Sequence, residues 1–238
     1  MVLPLYDHSP FKWPTPPYVT WLLIGINVVV FLLQGSAGPE KADLFDHFAG
    51  LVPVALSGGE ISGTALPAPL TLITYTFLHG NFMHIFGNMI FLWVFGDDIE
   101  EALGHWRFLV FYIACGIGAG LAYTFSNANS PAELIGASGC VAGVIAAYLM
   151  FRPCAKVTVL VFFLPIRVRA FWIIGGWAIW QFIEVASQAQ DNVAYWAHVG
   201  GLVSGAILFV LMRPPGVQLF ECAQPETVLA GGNGKPPK

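Results

Sequence analysis

Charge is scarce in this 238-residue chain. Only 10% of its residues are Asp, Glu, Lys or Arg, against about 25% in a soluble domain. With 56% hydrophobic residues and a mean hydropathy of +0.69, the chain cannot cover a water-facing surface, and it reads as an integral membrane protein. Its ten Lys and Arg form no stripe or block, and its net charge is −4, which argues against nucleic-acid binding. Cysteine is also sparse. Cys115, Cys140, Cys154 and Cys222 show no C-x-x-C spacing, and two of them lie in apolar runs. They read as buried thiols, with neither a disulfide nor a metal expected. No internal repeat is visible.

Long apolar runs are abundant. A spanning helix needs about 20 mostly apolar residues, and six candidates lie at roughly 18–34, 74–96, 107–126, 134–151, 168–187 and 194–212. The first follows a Pro-rich segment holding only Lys12, unlike the short basic start of a signal peptide, so it is expected to be retained. Residues 35–73 form a long loop in which Phe45, Phe48, Leu51, Val52, Leu56 and Leu66 stand amid Gly and Pro. That apolar content predicts a loop dipping into the membrane interface. The expected fold is therefore all-α: a compact bundle of six transmembrane helices over 18–213, a cytoplasmic segment 1–17 and a disordered cytoplasmic tail 214–238.

Orientation follows from the basic residues. With the N-terminus inside, Lys12, Arg107, Arg152, Lys156, Arg167, Arg169, Arg213, Lys235 and Lys238 lie on the inner side and only Lys41 outside. Helices two, four and six then run from outside to inside.

Four polar residues stand out within these helices: His84 and Asn88 in the second, Ser138 at the head of the fourth and His198 near the start of the sixth. His84 and Asn88 share a face at i and i+4. At 1.5 Å per residue, Ser138 and His198 each lie on the order of 5–10 Å below the outer boundary, and His84 falls in the same outer half. Alone, a membrane Ser bonds a carbonyl one turn back and an Asn holds helices together; an intramembrane His is more often functional or paired. Small residues four apart let helix backbones approach. Gly139 and Gly143 do so in the fourth helix, Gly201 and Gly205 in the sixth. The closeness that two short side chains need for a hydrogen bond is thus provided beside both Ser138 and His198.

Taken together, Gly136-Ala137-Ser138-Gly139, then Ala197-His198-Val199-Gly200-Gly201 with Gly205, and "HGNFMHIFGN" over 79–88 resemble the rhomboid family of intramembrane serine proteases. The likeness extends over about 18–213. It implies a Ser–His dyad of Ser138 and His198. It also implies an oxyanion site built from His84, Asn88 and the backbone N–H of Ser138, with Gly136, Gly139, Gly143, Gly201 and Gly205 packing the helices at the site. The substrates implied are transmembrane segments of single-span or multi-span membrane proteins, cut near the membrane surface. The compact form suggests a prokaryotic plasma membrane. Glu100 sits where the family often has an acidic residue. Two departures are evident. Many members carry an aromatic residue four positions after the serine, packing on the histidine; here it is Ala142, so the ring must be oriented from elsewhere. Many carry Trp-Arg in the first loop, where this chain has Leu70-Thr71.

In chemical terms, Ser138 is a weak nucleophile that needs a base, and His198 is the candidate at matching depth. No third member is evident, and Glu184 near the outer end of helix five reads as solvated. His79, Asn81 and the first loop are candidates to line a water-filled cavity. Trp172, Trp177, Trp180 and Phe182 make helix five either a substrate gate or an aromatic belt. No cofactor or metal is expected. The main rival is a catalytically inactive relative that binds membrane helices for quality control or trafficking. A small transporter is a second, disfavoured because the polar cluster lies away from the midplane.

Overall fold

The computed structural model describes residues 2–7, 16–36, 38, 45–59, 66–187 and 193–222. Within them run six long helices: α1 (Tyr18–Ser36), α2 (Phe82–Leu103), α3 (His105–Ser126), α4 (Ser138–Phe151), α5 (Ala170–Ser187) and α6 (Tyr195–Met212). Four of these, α1, α3, α5 and α6, are long and apolar enough to cross a membrane. In α2, His84, Asn88, Asp97 and Asp98 dilute the apolar run. α4 has only 14 residues, about 21 Å at the usual helical rise, and is preceded by an irregular stretch that ends at Ala137.

The second helix was expected over roughly 74–96, but it starts at Phe82 and continues to Leu103. Residues Ala68–Thr74 form a separate short helix and Tyr75–Phe77 a 3-10 turn. Asn81 then adopts extended backbone, and its side-chain oxygen accepts the His84 N–H at 2.9 Å. This is an N-cap, and it resets the helix axis. The corner between α2 and α3 is Gly104, whose φ of +82° suits a residue without a β-carbon.

The centre of the bundle is a seam of bare backbone. A β-carbon on Gly201 would lie 2.1 Å from the Gly139 carbonyl oxygen, and one on Gly205 would lie 2.3 Å from that of Gly143. α4 and α6 therefore touch main chain to main chain, as small-residue pairs allow where lipid offers no hydrophobic drive between helices. On the other side of α4, Tyr148 packs edge-on against Phe95 of α2, beside Phe108, Phe111 and Tyr112 of α3.

Two features correct the sequence reading. The first is a three-stranded antiparallel sheet at the end of the bundle opposite Ser138, which an all-α expectation omits. It has the order β1 (Val2–Asp7), β2 (Lys156–Val161), β3 (Leu164–Arg169). Leu3 faces Leu160, and Val159 faces Ile166. Val157 and Val159 point into the core, as alternation requires. Six-residue strands leave a weak trace in an apolar chain, and the pairing of β1 with β2 spans most of the sequence, so local pattern does not reveal it. The sheet places residues 2–7 and 156–169 on one side. The second correction is a disulfide between Cys154 and Cys222, where none was expected. The two lie 68 residues apart in sequence, and only the return of the chain after α6 brings them together. Cys115 and Cys140 are buried free thiols. Residues 214–222 turn back under α4, where the Phe220 and Glu221 N–H groups donate to the Met150 and Phe151 carbonyls. The rest of the tail, 223–238, lies outside the described residues.

Glu100 fastens the start of α1. Its carboxylate accepts the Val19 N–H at 2.9 Å and both the N–H and hydroxyl of Thr20 at 2.7 Å. The two N–H groups are donors that a helix start leaves unsatisfied. Glu100→Ala removes their acceptor, and each stranded buried donor costs about 1–3 kcal/mol. A fall of several degrees (roughly 4–8) in the thermal midpoint in detergent is expected, with a smaller fall for Glu100→Gln. An unchanged midpoint for Glu100→Ala would show that α1 does not depend on this contact.

Candidate active site

The approach to Ser138 is held by backbone pairing with the first loop. Leu51 and Leu134 exchange two hydrogen bonds, and the Gly136 N–H donates to the Tyr75 carbonyl at 2.9 Å. Both leucines are buried. Gly136 has φ +123°, and a β-carbon there would lie 2.7 Å from both Cε1 and Nε2 of His84. Backbone conformation and space each demand glycine at this point. The same virtual carbon lies 3.8 Å from Ser138 Oγ, so the His84 imidazole and the Ser138 hydroxyl converge on one spot. α4 starts without a side-chain cap, which leaves its first-turn N–H groups, Ser138's among them, without intrahelical acceptors.

Asn88 lies one turn beyond His84 and is buried. Its Nδ2 is 3.0 Å from His79 Nε2. An amide nitrogen only donates, so His79 accepts through Nε2, and the second amide N–H of Asn88 remains available. The His79 and His84 rings meet edge-on, with centroids 5.1 Å apart. His79 was expected on the cavity wall. It is buried behind Asn88 instead, and the wall residue is Asn81.

His198 stands in the first turn of α6. The glycine seam between α4 and α6 places it across one cavity of about 1350 Å³ from Ser138, with His84, Asn88, Glu184 and Trp177 on the walls. The four residues singled out in the sequence thus share this cavity, although three helices carry them. Among the described residues no hydrogen bond joins Ser138 Oγ to His198. Catalytic hydrogen bonds often tighten only with substrate present. The partner His198 does have is Gln181 of α5, whose Oε1 lies 2.6 Å from Nδ1. Sequence reasoning passed over Gln181. An uncharged amide in an apolar helix is the same signal that singled out Asn88. Glu184, one turn further on, also lines the cavity, and it is bonded by the Ser187 hydroxyl. Of the four α5 aromatics named from the sequence, Trp172, Trp180 and Phe182 are exposed while Trp177 turns inward.

Comparison with known proteins places this arrangement. The chain is 27% identical over 164 residues to RHOMBOID-like protein 5 of Arabidopsis thaliana, covering 58% of this chain and 53% of that one. It is 30% identical over 134 residues to Rhomboid protease GluP of Bacillus subtilis, covering 56% and 24%. It is 27% identical over 209 residues to Rhomboid protease AarA of Providencia stuartii, covering 81% and 71%. Of the first two relatives it thus spans about half the length or less. Bacterial and eukaryotic proteins stand side by side in this group, so likeness alone does not assign a prokaryotic source. Residues 68–215, more than half of the chain and including every one of these cavity-lining side chains, match the family model of the Rhomboid domain: the chain belongs to the rhomboid family.

Proposed function

We propose that the protein is an intramembrane serine endopeptidase that cuts peptide bonds in or next to the transmembrane segments of other membrane proteins. The observation that carries this reading is the shared cavity, where a serine at an uncapped helix start faces two histidines and an asparagine amide. Four of its helices are long and apolar enough to cross a membrane, where polar groups usually face a wet cavity. In this reading six helices span the bilayer, α4 short because its head lies below the outer surface, and the first loop dips into the interface over it.

His198 takes the Ser138 proton as the hydroxyl attacks the scissile carbonyl, then returns it to the leaving amine. The developing oxyanion is held by the free Asn88 amide N–H, a ring N–H of His84 and the Ser138 backbone N–H. Water then enters through the same cavity and hydrolyses the acyl-enzyme. The substrate segment unwinds first, because an intact helix ties up its carbonyls in i to i−4 bonds. The direct test is a tagged single-span reporter incubated with purified protein in proteoliposomes. Cleavage is expected, together with labelling of the protein by a fluorophosphonate that is specific for activated serines. A folded protein that binds the reporter helix, cuts nothing and takes no label would favour the helix-binding relative.

Orientation is part of the proposal. The basic excess puts the sheet and both termini in the cytoplasm and the cavity toward the outer face. A disulfide such as Cys154–Cys222 persists best in an oxidising compartment, so in this orientation the pair is expected to be a dithiol in the cell. A tag at the C-terminus is expected to resist protease added outside intact cells. Its digestion would reverse the orientation and leave the disulfide in an oxidising space.

A further inference from the structure

The Ser–His reading leaves one requirement unmet, and this inference rests on that reading. A histidine that is to take a proton through Nε2 needs Nε2 bare, so its own proton has to sit on Nδ1. A lone imidazole is free to choose the other tautomer and to spin about its Cβ bond. The aromatic residue that many relatives place four positions after the serine is here Ala142, which is fully buried and has no ring to stack.

The structure offers a replacement on α5. Gln181 is the last buried residue of that helix and is 3% exposed. Its Oε1 lies 2.6 Å from His198 Nδ1, and its Nε2 donates to the Trp177 carbonyl at 3.4 Å. The second contact is consistent with the amide oxygen facing the histidine, since the nitrogen is turned toward a carbonyl. An amide oxygen only accepts, so in this arrangement His198 Nδ1 is the donor and Nε2 is left bare. One turn back, the Trp177 ring lies against the imidazole, with centroids 5.8 Å apart and planes at 41°. Polar anchor and ring support both come from one turn of α5, at i and i+4.

We propose that Gln181 is the positioning residue of the dyad: it accepts the Nδ1 proton of His198 and so holds the ring in the one tautomer able to act as base. Gln181 touches neither Ser138 nor any reacting atom and works only through His198. Because it stands on α5, base competence depends on α5 remaining docked against α6.

The test compares Gln181→Leu, which removes the acceptor at similar volume, with Gln181→Glu, which keeps an oxygen in place. The readouts are reporter cleavage in proteoliposomes and ¹⁵N spectra of the histidine rings, with His198 assigned by its loss in His198→Gln. For wild type, the spectra are expected to show Nδ1 protonated and Nε2 bare. For Gln181→Leu, kcat is expected to fall on the order of 10- to 100-fold, below the full contribution of a general base, with KM within about twofold and the His198 signals moved toward the Nε2–H form. Gln181→Glu is expected to recover most of the kcat. A Gln181→Leu protein with wild-type kcat and an unchanged tautomer overturns the proposal. So does an equal loss in both variants with the Nδ1–H form retained, since that pattern means packing alone. If wild type cuts no reporter, the protease reading falls, and the spectra of wild type and Gln181→Leu still decide whether Gln181 sets the tautomer.

Discussion

Ser138→Ala is expected to reduce reporter cleavage to the uncatalysed background while leaving the fold intact. Ser138 is half-buried at the cavity wall, and among the described residues its hydroxyl bonds no other group. Removing one oxygen there strands no partner and opens no core cavity, so the thermal midpoint is expected to move by less than a degree or two. Losing the nucleophile removes acyl transfer altogether, so the loss of rate is expected to exceed the roughly 100- to 1000-fold typical of losing one oxyanion donor. Asn88→Ala is the natural comparison for that smaller figure. The informative measurement is the pair of quantities together, turnover in proteoliposomes and thermal midpoint in detergent. If Ser138→Ala cuts as well as wild type, the serine is a packing residue and the activity has another source.

The second large effect is expected at Gly205. Its β-carbon in Gly205→Ala would lie 2.3 Å, 2.4 Å and 2.7 Å from three backbone atoms of Gly143. Backbone cannot swing aside as a side-chain tip can, so α6 has to move away from α4. Overpacking of this kind costs about 1–3 kcal/mol or more, and a displacement near 1 Å between a base and its nucleophile costs on the order of 100-fold in rate. Both stability and turnover are therefore expected to fall. Gly175→Ala on α5, where a new β-carbon meets nothing within 4 Å, is the control and is expected to be neutral or slightly stabilising. Equal behaviour of the two variants would mean that the seam is looser than its geometry indicates.

The features most legible in the sequence were those that follow from lipid itself. A bilayer demands long apolar runs and penalises each polar group inside them. Ser138, His84, Asn88 and His198 therefore stood out against a plain background, and the Gly139, Gly143, Gly201 and Gly205 spacing announced where two helices would meet. Helix ends were legible where chemistry punctuates them and misread where it does so quietly: capped by Asn81, α2 starts at Phe82, eight residues after the expected start, because the apolar run continues back through the 3-10 turn before it. Gln181 escaped notice for a different reason. Its role is defined by what it faces on another helix, and an amide in an apolar run has no direction until α5 is docked.

By itself, then, the sequence determined the apolar medium this chain lives in and the polar residues that stand out within its helices, because each depends on composition or on spacing within a single segment. Tertiary structure alone decided the β1–β2–β3 sheet, the Cys154–Cys222 bridge, the place of His79 behind Asn88 and the hand of Gln181 on His198. Those are contacts between segments far apart in the chain, and their geometry exists only once the glycine seam has brought the helices together.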